Sequence, residues 1–261
     1  MKLFDSHCHL EDRAYDRDRD SVVKRMRKAG VAGAMIIGVT RQRSIEAVSL
    51  AESLPGCYAS VGIHPHDAKS CDESTLAFLA DLAKSPKVRA WGEIGLDFNR
   101  MFSSRTDQEK WCIRQLEIAD TLGLPVIFHE RDSNGRLVEI LKDHRDKLKK
   151  NGVVHCFSGD DNELKQYLDL GIYIGITGIV TLKGRGEALR QLVPRIPVDR
   201  LLVETDAPFL TPAPEINRTR RNEPAFVRSV LLKLAAVRNE APDLLAGTVW
   251  GNTCRLFGID G

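Results

Sequence analysis

Phe4-Asp5-Ser6-His7-Cys8-His9-Leu10 sets two histidines two residues apart at the end of a short β-type run. In an extended segment the side chains of i and i+2 project to the same side, so both imidazoles can aim at one point. Such a pair is a ready pair of metal ligands. Its meaning depends on whether other strand ends supply further ligands.

Outward from this stretch, short β-rich runs alternate with charge-studded amphipathic ones. Strands are expected at residues 2–6, 33–38, 58–63, 88–94, 125–129, 152–155, 172–176 and 201–204. Helices are expected at 17–28, 41–53, 73–84, 106–122, 133–149, 162–168 and 186–192, and two more at 223–237 and 242–257 close the chain. Asp72 is placed to cap the third helix, while Gly30 and Gly123 follow the first and fourth. Eight strands alternating with helices predict an α/β fold, a (β/α)8 TIM barrel with extra C-terminal helices, as a single domain over residues 1–261. A doubly wound sheet would carry a glycine-rich phosphate loop after an early strand, and no G-x-G-x-x-G or Walker pattern occurs there.

Composition narrows the function classes. The 261 residues are 28% charged with a formal net charge of +2, an ordinary surface and not a nucleic-acid-coating one. No apolar run is long enough to span a membrane, and the first residues lack the apolar core of a secretion signal. The six cysteines are scattered without a C-x-x-C pair, so a reduced, cytoplasmic protein is expected. Cys8 and Cys156 each adjoin a histidine and are read as small buried apolar residues.

The catalytic groups of a TIM barrel come from the C-terminal ends of its strands. Those ends hold His7 and His9, then His64 and His66, then Glu93, His129, His155 and finally Glu204 and Asp206. Six of the seven histidines fall there, and only His144 lies in a charged helix. Singly, each is better explained as a hydrogen-bonded or solvated group. Jointly, that explanation leaves several unpaired polar groups around one mouth, at about 1–3 kcal/mol each. A divalent cation removes that cost. His7, His9, Glu93, His129, His155 and Asp206 are too many for one tetrahedral zinc and suit two metals. Glu93 is the candidate bridge. His7, His9 and Asp206 complete one metal, and His129 with His155 the other. Such a pair activates a water, with Asp206 as general base. Imidazole ligands favour zinc, manganese or cobalt over magnesium, and binding is expected to weaken below about pH 6.5. His64 is either a donor to substrate phosphate or a loop hydrogen bond. His66 is read as structural, and Glu204 as orienting a ligand.

The series FDSHCHL, GIHPHD, GEIGLDFNR, IFHERD, HCFSG, YIGITG, ETDAPFLTP, RRNEPA and GNTCRLFG resembles the TatD family of metal-dependent deoxyribonucleases, in order over nearly the whole chain. The resemblance implies a barrel of the amidohydrolase superfamily with two divalent metals (magnesium, manganese or zinc) at its mouth. It implies hydrolysis of DNA phosphodiesters by a 3′→5′ exonuclease on single strands, with RNA a further substrate. The family's ligand positions match His7, His9, Glu93, His129, His155 and Asp206, and its phosphate-binding histidine matches His64. The family's magnesium-linked nuclease activity stands against the nitrogen-rich ligand set. The branch most similar to this chain lacks a first-strand histidine pair, which this chain keeps.

A single strand is held by cationic side chains and aromatic faces. Lys183, Arg185, Arg218, Arg220 and Arg221 are the basic candidates, with Arg221 nominated for phosphate; Phe98, Phe102 and Phe209 are the aromatic ones. The competing reading is a solvated loop and ordinary packing phenylalanines. The modest net charge implies contact with only a few phosphates. No membrane and no obligate protein partner is expected. Two other functions compete: another amidohydrolase acting on an amide, lactone or small phosphoester, and a metal-stabilised scaffold without turnover.

Overall fold

The computed structural model describes residues 1–260. Eight strands follow in order: β1 (Leu3–Cys8), β2 (Val31–Ile36), β3 (Cys57–Val61), β4 (Val88–Asp97), β5 (Val126–Arg131), β6 (Gly152–Val154), β7 (Tyr173–Ile176) and β8 (Leu201–Val203). Each pairs in parallel with the next. The sheet closes at its rim, where Cys8 bridges Ala207 in parallel, Asp206 N–H donates to His7 O (2.9 Å) and His9 N–H to Ala207 O (2.7 Å). Helices α1 (Arg19–Lys28), α2 (Arg41–Ser53), α3 (Glu73–Leu82), α4 (Arg105–Leu122), α5 (Arg136–Asp143), α6 (Asp161–Asp169) and α7 (Glu187–Leu192) alternate with the strands. After them come α8 (Val227–Arg238) and α9 (Pro242–Phe257). This is the expected TIM barrel with extra C-terminal helices.

Two apolar layers hold it. The larger packs strands against helices, around Leu3, Trp91, Leu116, Leu141 and Leu231. The smaller fills the barrel with Phe4, Met35, Ala90, Ile127, Val153, Tyr173 and Leu202, and is floored by Leu256, Phe257 and Ile259 at the chain's end. Asn252 ties α9 beneath β8 by donating to Leu201 O (2.9 Å) and Val198 O (2.7 Å). A residue filling the barrel points the same way as its i+2 neighbour, so this inner layer also fixes what faces the mouth.

Expected punctuation is in place at one helix start and one helix end. Asp72 accepts from Thr75 N–H (2.7 Å), and Gly123 ends α4 in the left-handed region at φ 65°. The fifth helix is shorter than the expected 133–149. Asn134 (φ 53°) and Gly135 (φ 83°) are left-handed, so α-geometry begins only at Arg136, and His144 at φ −111° ends it before a 3-10 turn, Arg145–Lys147. β1 runs two residues past its expected end and β4 three, whereas β3 stops at Val61 ahead of the turn Pro65–Ser70.

Candidate metal centre

Strand register explains which side chains meet. In β5 and β6, two-residue alternation leads from Ile127 to His129 and from Val153 to His155. After β8 it leads from Leu202 through Glu204 to Asp206. In β1 and β4 the steps from Phe4 to His7 and from Ala90 to Glu93 are odd. Each of those strands has a register irregularity in that interval, between Asp5 and Cys8 and between Trp91 and Ile94. These bulges switch face and turn His7 and Glu93 into the mouth. Gly92 (φ 147°) makes room in β4: a Cβ there would lie 2.6 Å from Ile127 O.

All six residues proposed as ligands converge, around one cavity of about 650 Å³ that also touches His64, His66, Asp97 and four arginines. Asp206 Oδ1 faces three imidazoles: His9 Nε2 at 3.4 Å, His7 Nε2 at 3.6 Å and His155 Nε2 at 3.7 Å. These are too long for hydrogen bonds. Donors held about 2.1 Å from one tetrahedral cation lie about 3.4 Å apart, which matches. Both ring nitrogens of His7 are fully buried without a hydrogen-bond partner, a condition costing about 1–3 kcal/mol per group unless a ligand satisfies it. Burial and the neighbouring His155 keep His7 neutral, its pKa well below the usual imidazole value. The donor set His7, His9 and Asp206 therefore fits a divalent cation.

Glu93 is buried and faces both ways. Its Oε2 lies 3.5 Å from His7 Nε2; its Oε1 meets His129 Nδ1 at 2.8 Å and His64 Nε2 at 3.6 Å. Burial opposes its charge, but His64, His129 and His7 outweigh it and hold its pKa well down. His129 clusters with His64 and His66, and His155 with His7 and Glu204, because the His7 and His155 rings stack at 3.4 Å between centroids. Glu204 Oε1 sits 2.8 Å from His155 Nδ1 without hydrogen-bond alignment and accepts the Cys156 N–H at 2.6 Å.

Asp97, the last residue of β4, is a site residue that the strand-end pattern alone does not single out. Its buried Oδ2 meets His66 Nε2 (2.7 Å) and His129 Nε2 (3.2 Å), and its Oδ1 accepts Asn99 and Arg100 N–H at 3.0 and 2.8 Å. His129 is thus gripped by a carboxylate at each nitrogen. Burial pulls its pKa down, but Asp97 and Glu93 prevail and raise it to about 9. His66 is consequently part of the site, although it was read as structural. His64 caps the turn after β3, and its Nδ1 accepts the His66 N–H at 3.0 Å. That fixes Nε2 as the protonated nitrogen, a donor in the cavity wall.

Arg221 was nominated for substrate phosphate, and the structure corrects this. Its guanidinium binds Asp18 through both terminal nitrogens (2.7 and 2.8 Å), donates to Ala14 O and lies 5.0 Å over the Tyr15 ring. It fastens the loop after β8 to α1 and does not line the cavity. Arg43, Arg100, Arg131 and Arg185 do. Phe98 lies half-buried under Arg105, whereas Phe102 and Phe209 are exposed beside the mouth. Cys8 and Cys156 have thiol pKa values pushed up by burial, as their apolar reading expects.

The fold and this rim define a class: (β/α)8 barrels whose strand ends carry histidine clusters that fit divalent metal ions. Within it, the chain belongs to the family of TatD-related DNases, whose family model matches residues 4–258. It is similar to the 3′-5′ ssDNA/RNA exonuclease TatD of Klebsiella pneumoniae (strain 342), 42% identical over 260 residues, with 99% of this chain and 98% of that protein covered. The 3′-5′ ssDNA/RNA exonuclease TatD of Rahnella sp. (strain Y9602) is 43% identical, with 98% of both covered. Among solved structures, YJJV, a TatD homologue from Escherichia coli K12, matches with a TM-score of 0.91 at 30% identity, covering 99% of this chain and 98% of that one.

Proposed function

We propose that this chain is a two-metal 3′→5′ exonuclease that hydrolyses phosphodiesters of single-stranded DNA and also of RNA. The observation that carries the reading is Glu93. Its two oxygens face separate donor groups, His7 with Asp206 on one side and His129 on the other, as a bridging carboxylate requires. The named activity of the relatives supports the substrate.

In this reading His7, His9 and Asp206 would hold one metal, His129 and His155 would serve the other, and Glu93 would be shared by both. Bound divalent cations would supply Lewis acidity toward a phosphoryl oxygen and a water. The chain's own groups do the rest. Asp206, facing three imidazoles, accepts a proton at its carboxylate as the attacking water loses it. His64 donates its Nε2–H to a phosphate oxygen. Asp97 and Glu204 hold His129 and His155 in orientation. The nitrogen-rich donor set favours zinc or manganese, and magnesium remains the third candidate. Among the described residues no helix is long and apolar enough to cross a membrane, and all six cysteines are free. Free thiols suit the reducing cytoplasm, where we place the protein.

The test is direct. Chelator-stripped protein is given magnesium, manganese or zinc and end-labelled single-stranded DNA or RNA. Metal-dependent stepwise loss of 3′-terminal nucleotides is expected. Intact strands with every metal, alongside turnover of an amide or lactone, would overturn the reading.

A further inference from the structure

Two exposed phenylalanines end a row of contacts across the mouth. Phe209, 53% exposed, lies 5.8 Å from the His9 ring, and Phe102, 54% exposed, lies 4.8 Å from the His66 ring. Between them the row runs from His9 to His7 (5.3 Å between rings), to Glu93 (3.5 Å), to His129 (2.8 Å) and to His66 (6.0 Å between rings). Both end contacts are steeply inclined, at 68° and 89°. Each therefore covers at most one face of the phenylalanine and leaves apolar ring surface to solvent. Burying these rings would be the default for folding. Instead they stand beside a mouth lined mostly by imidazoles, carboxylates and arginines. Arg100, Arg131 and Arg185 line the same cavity, and among the described residues none of the three is in an ion pair.

From this arrangement, and resting on the exonuclease reading, we propose that Phe102 and Phe209 are base-stacking platforms, one on each side of the scissile phosphate. The substrate is then a strand end whose last two bases are unstacked, each lying on one phenylalanine while its phosphates face the arginines. Every base has a π-face, so such platforms hold any sequence. A duplex end keeps its bases paired and stacked on one another and cannot present them. Single-strand preference would thus arise at the two rings and not at the metal centre.

The experiment compares kcat/KM of the metal-loaded enzyme on single-stranded oligonucleotides. Each carries either normal bases or one abasic residue, at the last or the next-to-last position. Wild type is measured beside Phe102→Ala, Phe209→Ala and the corresponding Phe→Leu variants, which keep apolar bulk without an aromatic face. Each alanine or leucine variant is expected to lose about 5- to 150-fold on the normal strand. An abasic residue at one of the two positions is expected to cost the Phe102 variants nothing further, and at the other position the Phe209 variants. Full additivity at both positions, or wild-type kcat/KM in all four variants, would overturn the platforms while leaving an active exonuclease. A wild-type enzyme that cuts no strand would remove the exonuclease reading itself, and the platforms with it.

Discussion

The two flanks of Glu93 are built on opposite terms. On the His7 side the nitrogens stand 3.4–3.7 Å from Asp206, His7 is neutral, and neither of its ring nitrogens has a partner. On the His129 side, contacts are short, with Glu93 at 2.8 Å and Asp97 at 3.2 Å, and the imidazole holds its proton up to about pH 9. One flank is spaced for a cation around a neutral His7, although, against burial, Asp206 and Glu11 raise the pKa of its His9 well above the usual imidazole value. The other satisfies itself with a proton, which a metal must displace. Two positions sharing a carboxylate therefore need not load alike.

Removing the shared carboxylate breaks both flanks. Glu93→Ala is expected to lose both metals and all activity, and metal analysis of the purified variant checks it. Retention of either metal would disprove the bridge. Next, Asp206→Asn should lower kcat by about 100- to 10,000-fold, as loss of a general base does, while at least one metal stays bound. Wild-type kcat would exclude a required base there.

The asymmetry itself is tested by pH. Protonated His129 lends the metal-free fold a stability that is complete below about pH 6.5, its unfolded value. That contribution is lost as pH rises through about 9. Metal binding on this flank should therefore release a proton and strengthen about tenfold per pH unit from 7 to 9. This places the onset of weakening on this flank well above the value of about 6.5 expected from unperturbed imidazoles. Calorimetric titration in buffers of different ionisation enthalpy measures the released proton. Asp97→Asn should weaken the same metal about 10- to 100-fold and leave the His7 side untouched. The smallest effect belongs to Arg221. Arg221→Ala should leave single-strand binding within about twofold and lower Tm by at most about 4 °C, as a strap between loop and helix would.

The architecture and the six converging residues were legible because both follow local rules. Alternation of strand and helix gives the barrel, and a barrel collects its strand ends. What escaped the sequence depended on register or on distant partners. The bulges in β1 and β4 leave no mark in a period-two pattern, and Asp97 shows its role only through its contacts with His66 and His129. The immediate neighbours of His129 and His155 are likewise decided by closure of the barrel, which stacks His7 on His155. Arg221 looked free because its partner, Asp18, lies about two hundred residues away in sequence. Phe98 and Phe102, four apart, part ways because Phe98 packs against the core under Arg105 while Phe102 stands exposed beside His66.

The barrel's seam joins Cys8 to Ala207, the first strand to the residues just after the last. Asp206 is carried in on that seam. A chain still emerging from the ribosome can hold its histidine pair and even Glu93, yet it has no last strand to dock and no eighth-to-first closure around them. The rim is completed only when translation is nearly over.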